Sequence, residues 1–392
     1  MSNQLKFYRE QMAAFEGNVN PQKAIESGYY IPEPRKSSSS LLTRVALRPA
    51  AKHLFIGGIG SGKTTQLLIA CQQLNEIENL KAFYVDASSF ANISNLSQGS
   101  LSIIVGLFLS IQTECYKDDP LVYSYHDYIR KQAYGEYVEE SDNDFDHDYH
   151  PEIFFRKGIL EKPISDTGDE NYLIKAIVYL RNLIGNEIIL CIDGLDRIDD
   201  AKLFAQIVAT DVQQISLTGI GVVLVGPLMF AYSQYRESVE AAVNYTSYQT
   251  CFDPEKDPEA HIFLENILIT RSLKDFIQKA ALKSLVDYSG GVLRDLINLT
   301  QSSIEEAYIF DEENLKQSHV EAAVDSFGRA KLLGVSDQDL EILKQVAKTG
   351  KFFPRTDEEV RLLVTGRILE YQYPTRRFSV HPTLRSFLRP LM

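Results

Sequence analysis

Short apolar runs alternate with segments of helical length over roughly the first two thirds of the chain. The runs and segments follow one another in the order 52–58, 63–75, 81–87, 99–113, 171–184, 186–194, 201–215 and 219–226, the first, third, sixth and last being of strand length. Strands that are apolar on both faces and separated by helices are typical of a parallel sheet covered on both sides. The pattern therefore predicts an α/β core.

After about residue 255 the strand pattern stops and helical periodicity takes over. Four helical segments, at 257–269, 272–288, 291–309 and 317–328, predict a small helical module. Two more, at 338–349 and 357–369, precede 370–382, where Tyr371, Tyr373, Phe378 and Val380 flank a Pro-Thr-Arg-Arg turn. Helix, helix and hairpin is the order of the second half of a winged helix. We therefore predict an α/β core at 46–254, a helical lid at 255–330 and a winged-helix-like domain at 331–392.

Two stretches interrupt the pattern. Residues 1–45 are mixed and polar, and GYYIPEPRKSSSS at 28–40 suits an extended linker, so this part is predicted to be a linker with a helix. Residues 114–170 are rich in Tyr and in acidic residues, and an insertion of that length is a lid, a binding element or a partly disordered segment. Its Asp-rich part, 142–148, does not fit a calcium loop, because His147 stands where Gly is required. We expect a solvated or partner-facing loop there.

Composition and charge narrow the class of protein. The 392 residues carry a formal net charge of −13, which argues against a uniformly basic nucleic-acid binder. Between 117 and 170 there are 15 acidic and 6 basic residues, whereas 331–392 holds 11 basic and 7 acidic residues. Four scattered cysteines without a C-x-x-C pair, and an N-terminus without an apolar signal-peptide core, predict a reduced, cytoplasmic protein. No apolar stretch reaches the roughly 20 residues of a membrane span.

A glycine-rich loop joins the first predicted strand to the first helix of the core. Its sequence, FIGGIGSGKTTQL at 55–67, satisfies the pattern G-x-x-x-x-G-K-[ST] between an apolar strand and a helix. Glycines let backbone N–H groups turn inward around phosphate oxygens, and the helix N-terminus adds a partial positive charge. We expect this phosphate loop to hold ATP through Gly57, Gly58, Ile59, Gly60, Ser61, Gly62, Lys63, Thr64 and Thr65.

Magnesium and catalytic groups follow from the same chemistry. Lys63 is expected to reach the β- and γ-phosphates, and the Thr64 hydroxyl is expected to bind Mg²⁺. We predict Asp193 as the second magnesium ligand, because four apolar residues precede it, as expected at the end of a buried strand. Many ATPases carry Glu directly after that Asp, but here the next residue is Gly194. Asp196 either polarises the attacking water, or caps the next helix or pairs with Arg197, and slow hydrolysis is expected.

These motifs resemble a known class of ATPase. The stretches Gly57–Thr65 and Asp193-Gly-Leu-Asp-Arg are similar to additional-strand P-loop ATPases, in the region shared by origin-recognition AAA+ proteins and the KAP and STAND signalling ATPases. Residues 269–301 resemble the helical lid of origin-recognition ATPases, in which Ser-Gly-Gly-x-x-Arg-Asp-Leu opens the helix that carries the sensor-2 arginine. The resemblance covers about 45–330 and implies that Arg294 contacts the γ-phosphate of ATP. The layout also resembles uncharacterised bacterial ATPases of mobile or anti-phage gene clusters.

The sequence departs from that pattern at one place. AAA+ proteins usually carry Asn, Thr or Asp at the end of the fourth strand, whereas this strand runs into Gly226-Pro227. Because the polar residue usual at this strand end is missing, we expect a nucleotide-dependent switch rather than a site with every group needed for hydrolysis. Arg271 is interpreted either as a group that projects to a neighbouring subunit's nucleotide or as a solvated helix end.

The C-terminal hairpin carries candidate nucleic-acid contacts. Winged helices of origin-recognition ATPases contact DNA, and Arg376 and Arg377 at the hairpin tip, with Arg367 and Arg385 nearby, are candidates to neutralise phosphates. A protein-docking or autoinhibitory role for the module is the alternative. His381 is predicted to be structural.

From these observations we expect a regulatory ATPase that binds Mg-ATP and hydrolyses it slowly. It is expected to form a homo-oligomer or a complex with an effector protein, in bacterial defence or signalling. Two alternatives stay open. One is an initiator-like or transposition-type ATPase that loads onto DNA, and the other is a nucleotide-binding scaffold without hydrolysis.

Overall fold

The fold was examined in a computed structural model, which describes residues 3–16, 21–34, 37–134 and 170–388. The Asp-rich stretch 142–148 of the predicted acidic insertion lies outside the described residues. Residues 114–134, at the start of that insertion, are described and include a helix at Pro120–Tyr134.

A five-stranded sheet confirms the predicted α/β class. The strands have the order β2-β3-β4-β1-β5, and β1 to β4 pair in parallel. Their bounds are β1 Lys52–Gly57, β2 Leu80–Asp86, β3 Glu187–Asp193, β4 Gly221–Gly226 and β5 Tyr245–Gln249. The first four lie within two residues of the predicted strands, and β5, at the edge of the sheet, was not predicted. Every residue of β4 and all but the first of β3 are buried, which explains their continuous apolar sequences.

Helices connect these strands and continue after the last of them. Their bounds are α1 Asn3–Phe15, α2 Pro21–Glu26, α3 Ser37–Leu47, α4 Lys63–Leu74, α5 Ser100–Gln112, α6 Pro120–Tyr134, α7 Glu170–Ile184, α8 Ala201–Ile207, α9 Gln213–Leu217, α10 Arg236–Ala242, α11 Pro258–Arg271, α12 Lys279–Ser289, α13 Leu293–Ile309, α14 Gln317–Leu332, α15 Asp337–Thr349, α16 Asp357–Val364 and α17 Arg385–Leu388. Of the described helices, none is long and apolar enough to cross a bilayer.

The described chain packs into two units. The sheet unit consists of Ser38–Ile56 and Leu67–Ser247, and the lid unit of Met1–Ser37, Gly57–Gln66 and Tyr248–Met392. In the sheet unit, α3 and α4 pack on the sheet through a buried cluster that includes Leu41, Leu67, Phe55 and Val223. The cluster explains why these helices are apolar on one side.

Helices α1 and α11 to α14 share the main core of the lid unit. Tyr8 and Phe15 of α1 are buried in the same cluster as Phe263, Leu285 and Leu296 of the lid helices. The hydroxyl of Tyr8 also donates a hydrogen bond to the carbonyl oxygen of Glu312. The N-terminal helix is therefore part of the packed lid unit.

The C-terminal part of the lid unit has the predicted order of elements. Helices α15 and α16 are followed by two antiparallel strands, β6 Ile368–Tyr371 and β7 Arg377–Val380, whose register pairs Ile368 with Val380. This arrangement fits a winged-helix-like module. The hydroxyl of Tyr371 donates to the carbonyl oxygen of Gly290 at 2.9 Å, which attaches the hairpin to the end of α12.

We expect the buried His53 of β1 to make stability depend on pH. Its ring stacks on Tyr245 with centroids 4.9 Å apart, and burial, together with the nearby Arg44 charge, lowers its pKa to about 4. Because the unfolded histidine has a pKa near 6.5, the unfolded state binds more protons between pH 6.5 and 4, so stability falls as pH falls through that window. The loss contributed by His53 is about 2 kcal/mol between pH 8 and pH 5.

Urea unfolding at pH 8 and pH 5 measures this effect. The control variant is His53→Phe, which keeps an aromatic ring against Tyr245 but does not titrate. We expect the wild type to lose more stability than the variant does. Equal losses in the two proteins would contradict the assignment.

Candidate nucleotide-binding site

The phosphate loop leaves β1 at Gly57 and enters α4 at Lys63. Gly60 and Gly62 have φ angles of +80° and +94°, a region that glycine adopts without steric cost. The first N–H groups of α4 have no partner within the helix and lie at its positive end. The first turn of α4 contains no acidic residue. The N–H groups at the start of α4 and the lack of an acidic residue there favour the binding of an anion.

Lys63 is buried within this loop. The residue is 4% exposed, and the Nζ ammonium donates to the carbonyl oxygens of Gly57 and Gly58 at 2.9 and 3.0 Å. These bonds hold the positive charge against the first two residues of the loop. Thr64 and Thr65 follow in the first turn of α4 and are partly buried.

The first turn of α13 lies directly against the phosphate loop. The backbone N–H of Arg294 donates to the carbonyl oxygen of Gly60 at 3.3 Å. A Cβ atom at Gly60 would lie 2.6 Å from the Cβ of Arg294, and one at Gly62 would lie 2.8 Å from Cδ1 of Leu293. The structure thus places Arg294 beside the loop, and its contact with a phosphate stays a prediction.

We expect the variant Gly60→Ala to weaken the fit between α13 and the loop. An alanine there combines an unfavourable positive φ with the close approach to Arg294, so the loop or the helix must shift. The expected loss is about 1–3 kcal/mol in the free energy of unfolding, together with weaker nucleotide binding. The matched control is Gly58→Ala, because a Cβ at Gly58 would have no heavy atom within 4 Å. Calorimetry of both variants checks this, and equal melting temperatures would contradict it.

Two residues beside the loop were missed by sequence analysis. The side-chain amide of Gln249, the last residue of β5, donates to Oε2 of Glu33 at 3.1 Å and to the carbonyl oxygen of Ser61 at 3.5 Å. Glu33 belongs to the segment assigned to a linker, and β5 has no apolar run. Neither residue lies in a motif, so the sequence offers no signal that would place it here.

Asp193 lies at the end of β3, as predicted. The side chain is buried, its Oδ2 accepts from the hydroxyl of Tyr84 at 3.1 Å and its Oδ1 from the backbone N–H of Gly194 at 2.7 Å. Burial, and then the charge of Asp193, raise the pKa of Tyr84 well above its usual range, so this hydroxyl stays protonated and donates. The strand ends of the parallel sheet form the edge at which α/β proteins bind ligands.

Two further positions bear on hydrolysis, namely Asp196 and the end of β4. Asp196 is half-buried in the short 3₁₀ turn Leu195–Arg197, and the side chain of Arg197 is exposed. Strand β4 ends at Gly226 and Pro227 follows, so no polar side chain stands at that strand end. Among the described residues, no three His, Cys, Asp or Glu side chains form a metal cluster. A magnesium site with two protein ligands, Thr64 and Asp193, stays a prediction.

Arg271 is not a solvated helix end. Its guanidinium lies over the ring of Tyr29 at 5.1 Å, and in the described part of the chain its Nε and Nη1 atoms are buried without a hydrogen-bond partner. Burial lowers its pKa.

The arginines of the C-terminal module make contacts within the lid unit. Arg377 donates from Nε and Nη2 to the two carboxylate oxygens of Asp253, each at 2.7 Å. Arg385 pairs with Glu255 at 3.2 Å. Two of the four arginines predicted to contact DNA are therefore bound to carboxylates of the segment that precedes α11.

The remaining two arginines differ in their surroundings. Arg367 donates to the carbonyl oxygens of Lys331 and Leu333 at 2.8 and 2.7 Å, which joins the hairpin to the end of α14. Arg376 pairs with Glu370 at 2.9 Å and its side chain is 65% exposed.

His381 has the surroundings of a structural residue. It is fully buried, its Nδ1 lies 2.8 Å from the hydroxyl of Thr383 and its Nε2 lies 3.1 Å from Oδ2 of Asp295. Burial lowers its pKa to about 4, although the Asp295 carboxylate acts in the opposite direction.

No protein-family model matches the sequence, and a search of the curated proteins gave no match. Among solved structures, the chain is similar to the ORC2 protein of Aeropyrum pernix in ADPNP and ADP complexes, with 16% identity, 93% of this chain and 96% of that chain covered, and a TM-score of 0.46. The Walker-type ATPase PABY2304 of Pyrococcus abyssi has 13% identity, coverages of 92% and 96%, and a TM-score of 0.47.

The ORC1 protein of Aeropyrum pernix in complex with DNA is also similar, with 15% identity, coverages of 92% and 93%, and a TM-score of 0.43. Origin-recognition proteins are thus among the solved structures that this chain resembles, as its motifs indicated.

Proposed function

We propose that this chain is a regulatory ATPase that binds Mg-ATP at the phosphate loop. The observation that carries the proposal is the loop itself. It combines Gly60 and Gly62 at positive φ, a first turn of α4 without an acidic residue and the buried Lys63 ammonium on two loop carbonyls. Such a loop offers N–H groups and a fixed positive charge to a polyphosphate.

The donor set fits a magnesium ion. A hydroxyl from Thr64 and a carboxylate from Asp193 are hard oxygen ligands, and Mg²⁺ usually takes one or two protein ligands with waters and phosphates. When bound, the ion neutralises charge on the β- and γ-phosphates. The chain's own part is to hold the phosphates with backbone N–H groups and Lys63. We propose the buried Asp193, oriented by the Tyr84 hydroxyl and the Gly194 N–H, as the carboxylate that faces the water shell of the ion.

Regulation is proposed from the contact between α13 and the loop. Arg294 is attached through its backbone to Gly60, so a change in the loop on nucleotide binding reaches the lid helix directly. A ligand shifts a conformational equilibrium only by binding its two states differently. A γ-phosphate that Arg294 contacts supplies such a difference between ATP and ADP. We propose that this difference controls oligomer formation or an effector protein, and bacterial defence or signalling is the setting that the sequence resemblance suggests.

Titration calorimetry and a phosphate-release assay test the proposal. Purified protein is titrated with ATP and ADP, with and without Mg²⁺, and phosphate release is then followed with and without duplex DNA. We expect Mg-dependent ATP binding and slow release that DNA does not change, since Arg377 and Arg385 are bound to carboxylates.

Three other outcomes separate the alternatives. Failure to bind either nucleotide would refute the proposal. Strong stimulation by DNA would favour the DNA-loading alternative, and binding without release would favour the scaffold.

A further inference from the structure

We propose that Asp86, at the end of β2, is the carboxylate that activates the attacking water during ATP hydrolysis. The inference rests on the proposed ATPase function and deepens it. In many ATPases this role belongs to a Glu directly after the strand-end Asp, a position that Gly194 occupies here.

Asp86 lies next to Asp193 at the same edge of the sheet. The two residues are register partners and each is the last residue of its strand, β2 and β3. A parallel sheet binds ligands outside the carboxyl ends of its strands. Asp86 therefore brings a second carboxylate to the strand ends beside the predicted magnesium ligand.

The geometry at Gly194 explains why the carboxylate comes from β2. Gly194 has a φ of +92°, and a Cβ atom there would lie 2.9 Å from Oδ1 of Asp86. A side chain at position 194 would thus begin where the Asp86 carboxylate already lies. A side chain at position 194 and the side chain of Asp86 would occupy the same place at the strand ends. In this chain the carboxylate of Asp86 occupies it.

The hydrogen bonds of Asp86 orient the group and leave one oxygen for water. Oδ1 accepts from the backbone N–H of Ser88 at 2.9 Å and from its hydroxyl at 2.7 Å. Both of these hydrogen bonds go to Oδ1, so Oδ2 is the oxygen that we assign to the water. Asp196, in contrast, lies beyond the strand end, in the turn after Gly194.

The proposed step transfers the γ-phosphoryl group of ATP to water. The oxygen of water forms a bond to the γ-phosphorus of ATP while the bond from that phosphorus to the β,γ-bridging oxygen breaks. The electrons of the broken bond leave with ADP. One proton of the water passes to Oδ2 of Asp86 and from there to solvent or to the released phosphate.

The variant Asp86→Asn tests this role. Asparagine keeps an oxygen that can accept from Ser88, and Asn and Asp are about equally good at such caps, so the turn is retained. It removes the basic carboxylate, and we expect phosphate release to fall roughly tenfold or more. ATP affinity and melting temperature are expected to stay close to the wild-type values. The matched control, Asp199→Asn, removes an exposed carboxylate that follows the same strand and is expected to keep wild-type turnover.

Each other outcome overturns the inference. Wild-type turnover in Asp86→Asn, with loss of turnover in Asp196→Asn, would assign the role to Asp196. A parallel loss of ATP binding and turnover in Asp86→Asn would indicate a structural role. Phosphate release by the wild type with unchanged turnover in Asp86→Asn would refute the inference alone, whereas ATP binding without phosphate release, or no ATP binding, would refute the proposed ATPase function as well.

Discussion

Replacing Lys63 with alanine is expected to weaken ATP binding about 100-fold, because charge-assisted hydrogen bonds contribute roughly 1.5–3 kcal/mol each. The ammonium is buried, and the loop carbonyls of Gly57 and Gly58 fix its position before any nucleotide binds. It therefore loses little freedom on binding, and most of its attraction for phosphate is available as affinity. Without it, the polyphosphate keeps the N–H groups of the loop but loses its fixed counter-charge.

Titration calorimetry with Mg-ATP measures this loss. The control is Lys202→Ala, which removes an exposed lysine of α8 and the same formal charge. We expect the control to bind like the wild type, because the charge of an exposed side chain is screened by salt. Unchanged affinity in Lys63→Ala would refute the phosphate loop as the nucleotide site.

Replacing Arg377 with alanine is expected to destabilise the lid unit by about 3 kcal/mol. The guanidinium makes two hydrogen bonds of 2.7 Å to Asp253, whose side chain is 0% exposed, and lies 4.6 Å from the ring centroid of Tyr371. Removing one partner leaves a buried carboxylate without its counter-charge, which costs more than the pair contributes. The hairpin β6–β7 would also lose a link to the segment before α11.

Arg376→Ala is the matched control for this prediction. Arg376 is the neighbouring arginine of the hairpin, but its pair with Glu370 is exposed on the arginine side, and such pairs contribute about 0–1 kcal/mol. Urea unfolding of the two variants is expected to show a large loss for Arg377→Ala and a small one for Arg376→Ala. Equal stabilities would contradict the assignment. Loss of DNA binding in a fully stable Arg377→Ala protein would instead support the predicted contact with phosphates.

Local patterns were sufficient for the α/β core and for the ends of its main strands. β3 and β4 are buried on both faces, so their sequences are apolar throughout and visible without a partner. The phosphate loop is equally local, because its glycines, Lys63 and α4 are contiguous in the chain. The position of Asp193 follows from the strand that precedes it.

Elements with weak local patterns were predicted less well. The helix predicted at 272–288 begins only at Lys279, after Asp275, which has a φ of +63°. Strand β5 was not predicted, because it lies at the edge of the sheet and is partly exposed. Its residues, Tyr245–Gln249, show little alternation between polar and apolar side chains.

Strands β1 to β4, the phosphate loop, most of the lid helices and the strand-end position of Asp193 were predictable from the sequence, since each depends on residues close together in the chain. Which polar residues become neighbours depends on the tertiary structure. Arg377 meets Asp253 across 124 positions, Gln249 meets Glu33 across 216, and Asp86 meets Asp193 through strand register. The reason is physical: hydrogen bonds and ion pairs act over a few ångströms, and only folding brings residues so distant in sequence within that range.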